Sequence, residues 1–186
     1  MDTKRLYCLT GLPLSGKSRT GKLLASKTKN SVFISCGDIA RSLVKTQEEQ
    51  QQMESADLFQ GEAALRAELK SRIDAADVES VFLDGFPRFG SQADHLFDVY
   101  SNLFPIVIDI NAGDLQTLAQ RAKARARDHR DFDENKFKER LRLAIKNQTE
   151  VMSVLNARLV LCYTIVSTSD DESVLKQFNR IKGFTP

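Results

Sequence analysis

The sequence predicts a three-layer α/β/α sandwich built on a central five-stranded parallel sheet. Three observations point to it: five short apolar runs rich in β-branched and aromatic residues, segments of helical periodicity between them, and a glycine-rich turn directly after the first run. Runs that are apolar throughout, with no alternation, belong to strands covered on both faces, as in a parallel sheet enclosed by helices.

The first run is RLYCL at 5–9, and the turn GLPLSGKS at 11–18 leads from it into a helical segment. The second, third and fourth runs are SVFIS at 31–35, SVFLD at 80–84 and PIVIDI at 105–110, and a fifth strand is expected at RLVLCYTIV, 158–166. Leu65, Leu69 and Ile73 recur at helical spacing, as do Ala93, Leu96, Phe97 and Tyr100, and then Phe137, Leu141, Ile145 and Met152. Strand and helix alternate, so right-handed βαβ units are the natural connection. Two stretches break the alternation. Residues 45–60 form a Gln- and Glu-rich insert, and 121–133, RAKARARDHRDFD, read as a basic stretch joining two helices. In open parallel sheets such excursions sit above the carboxyl ends of the strands, where ligands bind.

The chain has 186 residues, enough for one domain with a real core. Its 27 basic and 25 acidic residues leave a net charge of +2, too even for a surface devoted to nucleic acid. Cys8, Cys36 and Cys162 are scattered, with neither metal-ligand spacing nor a disulfide framework, and suit a reducing compartment. No apolar stretch approaches the roughly 20 residues that span a bilayer, and the N-terminus lacks the apolar core of a signal peptide. A cytoplasmic, monomeric protein without membrane or nucleic-acid partners is the expectation.

Gly11 to Ser18 fits G-x-x-x-x-G-K-[ST] between a buried strand and a helix. Phosphates need an oxyanion cradle, which inward-pointing backbone N–H groups at a helix N-terminus provide. Gly11 and Gly16 permit the close approach, Lys17 reaches the β- and γ-phosphates of ATP, and the Ser18 hydroxyl is placed to ligate Mg²⁺. Asp84, at the end of the third run, reads as the carboxylate that holds the hydration shell of that Mg²⁺; by itself an Asp before Gly is also a turn former.

GLPLSGKS, SCGDIARSL, LDGFPRFGSQADHL and a late arginine-rich stretch together resemble the adenylate kinase family of nucleoside monophosphate kinases, over nearly the whole chain. DGFPR followed four positions later by Gln92 is the specific part of that likeness. The resemblance implies transfer of the γ-phosphoryl of Mg-ATP to AMP. It implies ATP contacts at Gly11, Pro13, Ser15, Gly16, Lys17, Ser18, Arg121 and Arg125. For AMP it implies Cys36, Gly37, Arg41, Leu58, Phe59, Gly85, Arg88, Gln92, Arg130 and Arg140. Lys17, Arg88, Arg125, Arg130 and Arg140 would be catalytic, residues 37–76 an acceptor-binding insert and 125–133 a short lid within a single domain. Taken singly each arginine reads as a solvated charge, but two polyanions brought within bonding distance call for several such cations. His95 and His129 read as solvated.

The chain departs from the family pattern at Leu14, where glycine is usual, at Cys36 in place of a threonine, and at Ala56 and Gln60. The lid is one residue shorter than the resemblance leads one to expect. Two other readings are a UMP, CMP or dTMP kinase, and a nucleotide-binding protein that no longer turns over. Gln92 speaks against the first, because the pyrimidine-preferring relatives tend to carry asparagine there. Retention of Lys17, Asp84 and the arginines speaks against the second.

Overall fold

The computed structural model describes residues 4–44, 62–100, 103, 105–129, 133–158, 160 and 162–184. Five strands, β1 (Arg5–Thr10), β2 (Ser31–Ser35), β3 (Ser80–Asp84), β4 (Ile106–Asn111) and β5 (Cys162–Val166), form a parallel sheet of order β2-β3-β1-β4-β5. Among the described residues seven helices flank it: α1 (Lys17–Lys27), α2 (Cys36–Leu43), α3 (Glu62–Ala75), α4 (Gly90–Tyr100), α5 (Leu115–His129), α6 (Glu134–Ala157) and α7 (Asp171–Phe184).

Each face of the sheet carries its own apolar cluster, because successive strand residues point to opposite sides. Leu6 and Cys8 of β1 join Val81, Leu83 and Val107 against α2, α3, α4 and α6, with Ile39, Leu69, Leu96 and Leu155 opposite them. Tyr7 and Leu9 join Phe82, Ile108 and Ile165 against α1 and α7. Tyr7 stacks on Phe82 with centroids 4.8 Å apart, and Phe178 of α7 meets Tyr7 edge-on at 5.3 Å. In β1 and β3, cover on both faces is thus why the runs are continuously apolar, while the edge strands β2 and β5 are only partly buried.

Helix ends are secured by polar groups close in sequence or far from it. Ser35 caps α2 by accepting from the Asp38 N–H at 3.2 Å, and Asp133 caps α6 by accepting from the N–H groups of Asn135 and Lys136. The C-terminus of α3 is held from outside: Lys4 Nζ donates to the carbonyls of Ile73 at 2.9 Å and Ala76 at 2.6 Å.

Two expectations need correction. The basic stretch from 121 is no connector, since α5 runs through His129 and α6 is capped at Asp133. Alanine, arginine and lysine are strong helix formers and carry the helix on beyond the buried Ala122. The fifth strand begins only at Cys162, because Arg158 still belongs to the end of α6: its N–H donates to the Val154 carbonyl at 3.1 Å.

Register places the site. Leu9 of β1 lies opposite Asp84 of β3, and Ser35 of β2 lies opposite the same Asp84. The chain segments that leave these strands, at Gly11, Gly85 and Cys36, therefore emerge side by side along the carboxyl edge of the sheet.

Candidate active site

The loop after β1 curls tightly. Leu14 has φ 64° and Gly16 φ 100°, both left-handed, and Gly16 is the N-cap of α1. A Cβ on Gly16 would lie 2.2 Å from Ser167 Oγ, and one on Gly11 would lie 2.4 Å from the Ile110 carbonyl, so neither position admits a side chain. Lys17 turns back over the loop, donating to the carbonyls of Gly11 at 2.8 Å and Leu12 at 2.7 Å. Burial lowers its ammonium pKa to about 8; Arg88 and Arg140 push the same way, and Asp84 and Asp109 oppose them. Ser18 Oγ donates to Asp84 Oδ2 at 2.5 Å, which sets two hard oxygen donors side by side. Ser15, within the loop, is buried, and its N–H donates to the Leu12 carbonyl at 3.1 Å.

On the β2 side two guanidinium groups converge. A Cβ on Gly37 would meet Arg41 at 3.4 Å and Arg88 at 3.5 Å, so the absence of a side chain there leaves a niche between two cations. Arg88 is anchored by donating from Nε to the Gly85 carbonyl at 2.9 Å. Arg41 pairs with Asp38, and that hydrogen bond holds the Asp38 carboxyl below its ordinary pKa. Cys36 is buried beside them. Burial pushes its thiol far up; Arg88 opposes the shift while Asp84 and Glu62 add to it. The Cys36 thiol is therefore protonated and inert as a nucleophile.

Gln92 is 2% exposed, and its amide is already engaged on both ends. Oε1 accepts from the Arg88 N–H at 2.7 Å, and Nε2 donates to Glu62 Oε2 at 2.9 Å. One lone pair and one N–H remain for any ligand.

Of the other expected residues, Arg121 spans from the Leu14 carbonyl at 3.0 Å to the Ser167 carbonyl at 3.2 Å, bridging the phosphate loop and the exit of β5. Arg140 is exposed on α6 and its charge reaches Lys17. Arg125 lies on α5, but its side chain is outside the description, and Leu58, Phe59 and Arg130 fall outside the described residues. Sequence reasoning missed Asp109, Ser167 and Glu62. Asp109 accepts from Gln148 Nε2 at 2.6 Å; burial raises its carboxyl pKa, against Gln148 and then Lys17. An ionisable residue inside the otherwise apolar run PIVIDI was the signal that could have found it.

A parallel sheet of this order, with a glycine-rich phosphate loop closing its central strand onto a helix, defines the P-loop kinase class. The profile of a family described as an AAA domain matches residues 10–138. An adenylate kinase of Renibacterium salmoninarum is 30% identical over 164 residues, covering 82% of this chain and 83% of that protein. An adenylate kinase of Campylobacter hominis is 24% identical over 187 residues, covering 96% and 95%. The chain belongs to the adenylate kinase family of P-loop kinases.

Proposed function

We propose that the protein transfers the γ-phosphoryl group of Mg-ATP to AMP, giving two molecules of ADP. The observation that carries this reading is the niche at Gly37. There Arg41 and Arg88 face one point, and Arg88 is also within electrostatic reach of Lys17 in the phosphate loop. Two anion sites that share a cation suit two phosphate chains meeting end to end.

In the reaction an oxygen of the AMP phosphate forms a bond to the γ-phosphorus as the bond from that phosphorus to the β–γ bridging oxygen breaks, and ADP leaves with the electron pair. The acceptor is already anionic, so no general base is needed; positioning and charge neutralisation supply the acceleration. Lys17 exchanges its loop carbonyls for β- and γ-phosphate oxygens, Arg88 and Arg41 hold the acceptor phosphate, and Arg121 and Arg140 add positive charge from the ATP side. Ser18 and Asp84 fit a Mg²⁺ ion carried in with the nucleotide, because both are hard oxygen donors and already touch. That ion would neutralise phosphate charge when bound. Gln92 reads the base with the half of its amide that remains.

The test is a panel. Offered AMP, GMP, UMP, CMP and dTMP with Mg-ATP, the purified protein turns over AMP fastest. A pyrimidine monophosphate turned over faster than AMP refutes the acceptor assignment, and no transfer to any of them refutes the kinase reading.

A further inference from the structure

Gln92 and Glu62 are 30 residues apart in sequence and meet at the edge of the acceptor niche. The carboxamide of Gln92 sits between a donor and an acceptor of fixed character. The Arg88 main-chain N–H can only donate, so it takes Oε1; the Glu62 carboxylate can only accept, so it takes Nε2. Amide orientation is therefore dictated by its neighbours. Glu62 is itself immobilised. Its side chain is 13% exposed, and its other oxygen accepts from Arg66 Nε at 2.8 Å, one turn along α3.

We propose that Glu62 is a specificity-determining positioning residue, which fixes the Gln92 carboxamide in one orientation and so rejects acceptors whose base carries the reversed donor–acceptor edge. The proposal rests on the AMP kinase reading. In the fixed orientation the free lone pair on Oε1 meets a donor and the free N–H on Nε2 meets an acceptor. Adenine offers that pair, an exocyclic amino group beside a bare ring nitrogen. A 6-oxopurine such as the base of IMP offers the opposite, a carbonyl beside a ring N–H. To pair with it the amide must turn over, and this sets its NH₂ against the Arg88 N–H and its oxygen against the Glu62 carboxylate. Two repulsive contacts then oppose the wrong base, which is discrimination by exclusion.

The experiment compares kcat/KM for AMP and IMP in the wild type, Glu62→Gln, Glu62→Leu and Arg66→Met. Glu62→Gln is isosteric, and the introduced carboxamide can donate as well as accept, so one of the two repulsions disappears. The AMP-to-IMP ratio falls about tenfold, with the change in KM more than in kcat, because the phosphate-holding Arg88 is untouched. Glu62→Leu shows the same fall. Arg66→Met removes the ion pair that braces Glu62 on α3 but leaves the carboxylate facing Gln92, so the ratio falls by less than in either Glu62 variant. A ratio unchanged in both folded Glu62 variants, or lowered equally by Arg66→Met, overturns the proposal. A wild-type protein that transfers to no monophosphate sinks the functional reading by itself. The lock is then read without catalysis, from hydrogen exchange of the Gln92 side-chain amide, identified by its loss in Gln92→Ala. Exchange is slow in wild type and fast in Glu62→Leu; equal exchange in the two overturns the inference.

Discussion

Replacing Lys17 with methionine separates what the phosphate loop costs from what it does. The ordinary lysine pKa of 10.5 falls to about 8 here, chiefly by burial. At about 1.4 kcal/mol per pKa unit, holding the ammonium charged at pH 7 costs the folded protein about 3 kcal/mol. Hydrogen bonds to the Gly11 and Leu12 carbonyls, about 1 kcal/mol each, offset part of that. Methionine keeps the apolar stem, removes the charge and forfeits both bonds. The balance is therefore between no change and a gain of about 1 kcal/mol, or up to about 2–4 °C in melting temperature for a chain of this size. Phosphoryl transfer, by contrast, falls about a thousandfold or more, since the charge that follows the γ-phosphoryl to the transition state is gone. The assay pairs thermal unfolding of the ligand-free protein at pH 7 with coupled turnover of Mg-ATP and AMP. A variant that melts several degrees lower, or that keeps near-normal turnover, refutes the reasoning.

The same lysine sets a pH dependence. Phosphate oxygens raise its depressed pKa, so ATP affinity is full below pH 8 and declines as pH rises through 8 towards the bound-state value; calorimetry at pH 8.5 in buffers of different ionisation enthalpy shows proton uptake, and none refutes it. Gly21→Ala drives a Cβ to 2.6 Å from Leu9 Cδ1 and Phe33 Cε2 and costs about 1–3 kcal/mol, read as a lower urea midpoint with an unchanged slope. Leu14→Gly relieves a left-handed leucine and gains about 0.5 kcal/mol in the same titration, where a loss would contradict the strain.

Much of the fold was legible because the sheet is covered on both sides. Runs such as SVFLD, buried at every position, have no other reading in a chain that alternates them with helical periodicity. The limits of elements were less legible. RAKARARDH carries helix propensity without an apolar stripe, so periodicity ended before the helix did. RLVLCYTIV is one apolar run but two structures, since its first residue finishes α6. Of the site, the phosphate loop was readable because its motif is local. The Glu62–Gln92 bond was not, for it joins residues whose approach depends on how α3 packs beside α4 and leaves no periodic trace. Gln92 was visible as a residue; that its amide is half committed was visible only in three dimensions.

Lys17, Arg88 and Arg121 share a trait that sets them apart from Arg66, Arg72, Lys138 and Lys176. The latter four pair with carboxylates along their own helices. The former rest on main-chain carbonyls: Lys17 on Gly11 and Leu12, Arg88 on Gly85, and Arg121 on Leu14 and Ser167. A carboxylate is a full anion and a standing rival to phosphate for the same cation, whereas a carbonyl is only a dipole and yields at small cost. Under the proposed function these cations are thus borrowed from the backbone during each turnover and handed back to it, with no ionic partner stranded in the interval. Arg41 is different. Held by Asp38, it must trade one anion for another, so a neighbouring carboxylate competes for its grip on an acceptor phosphate at every cycle.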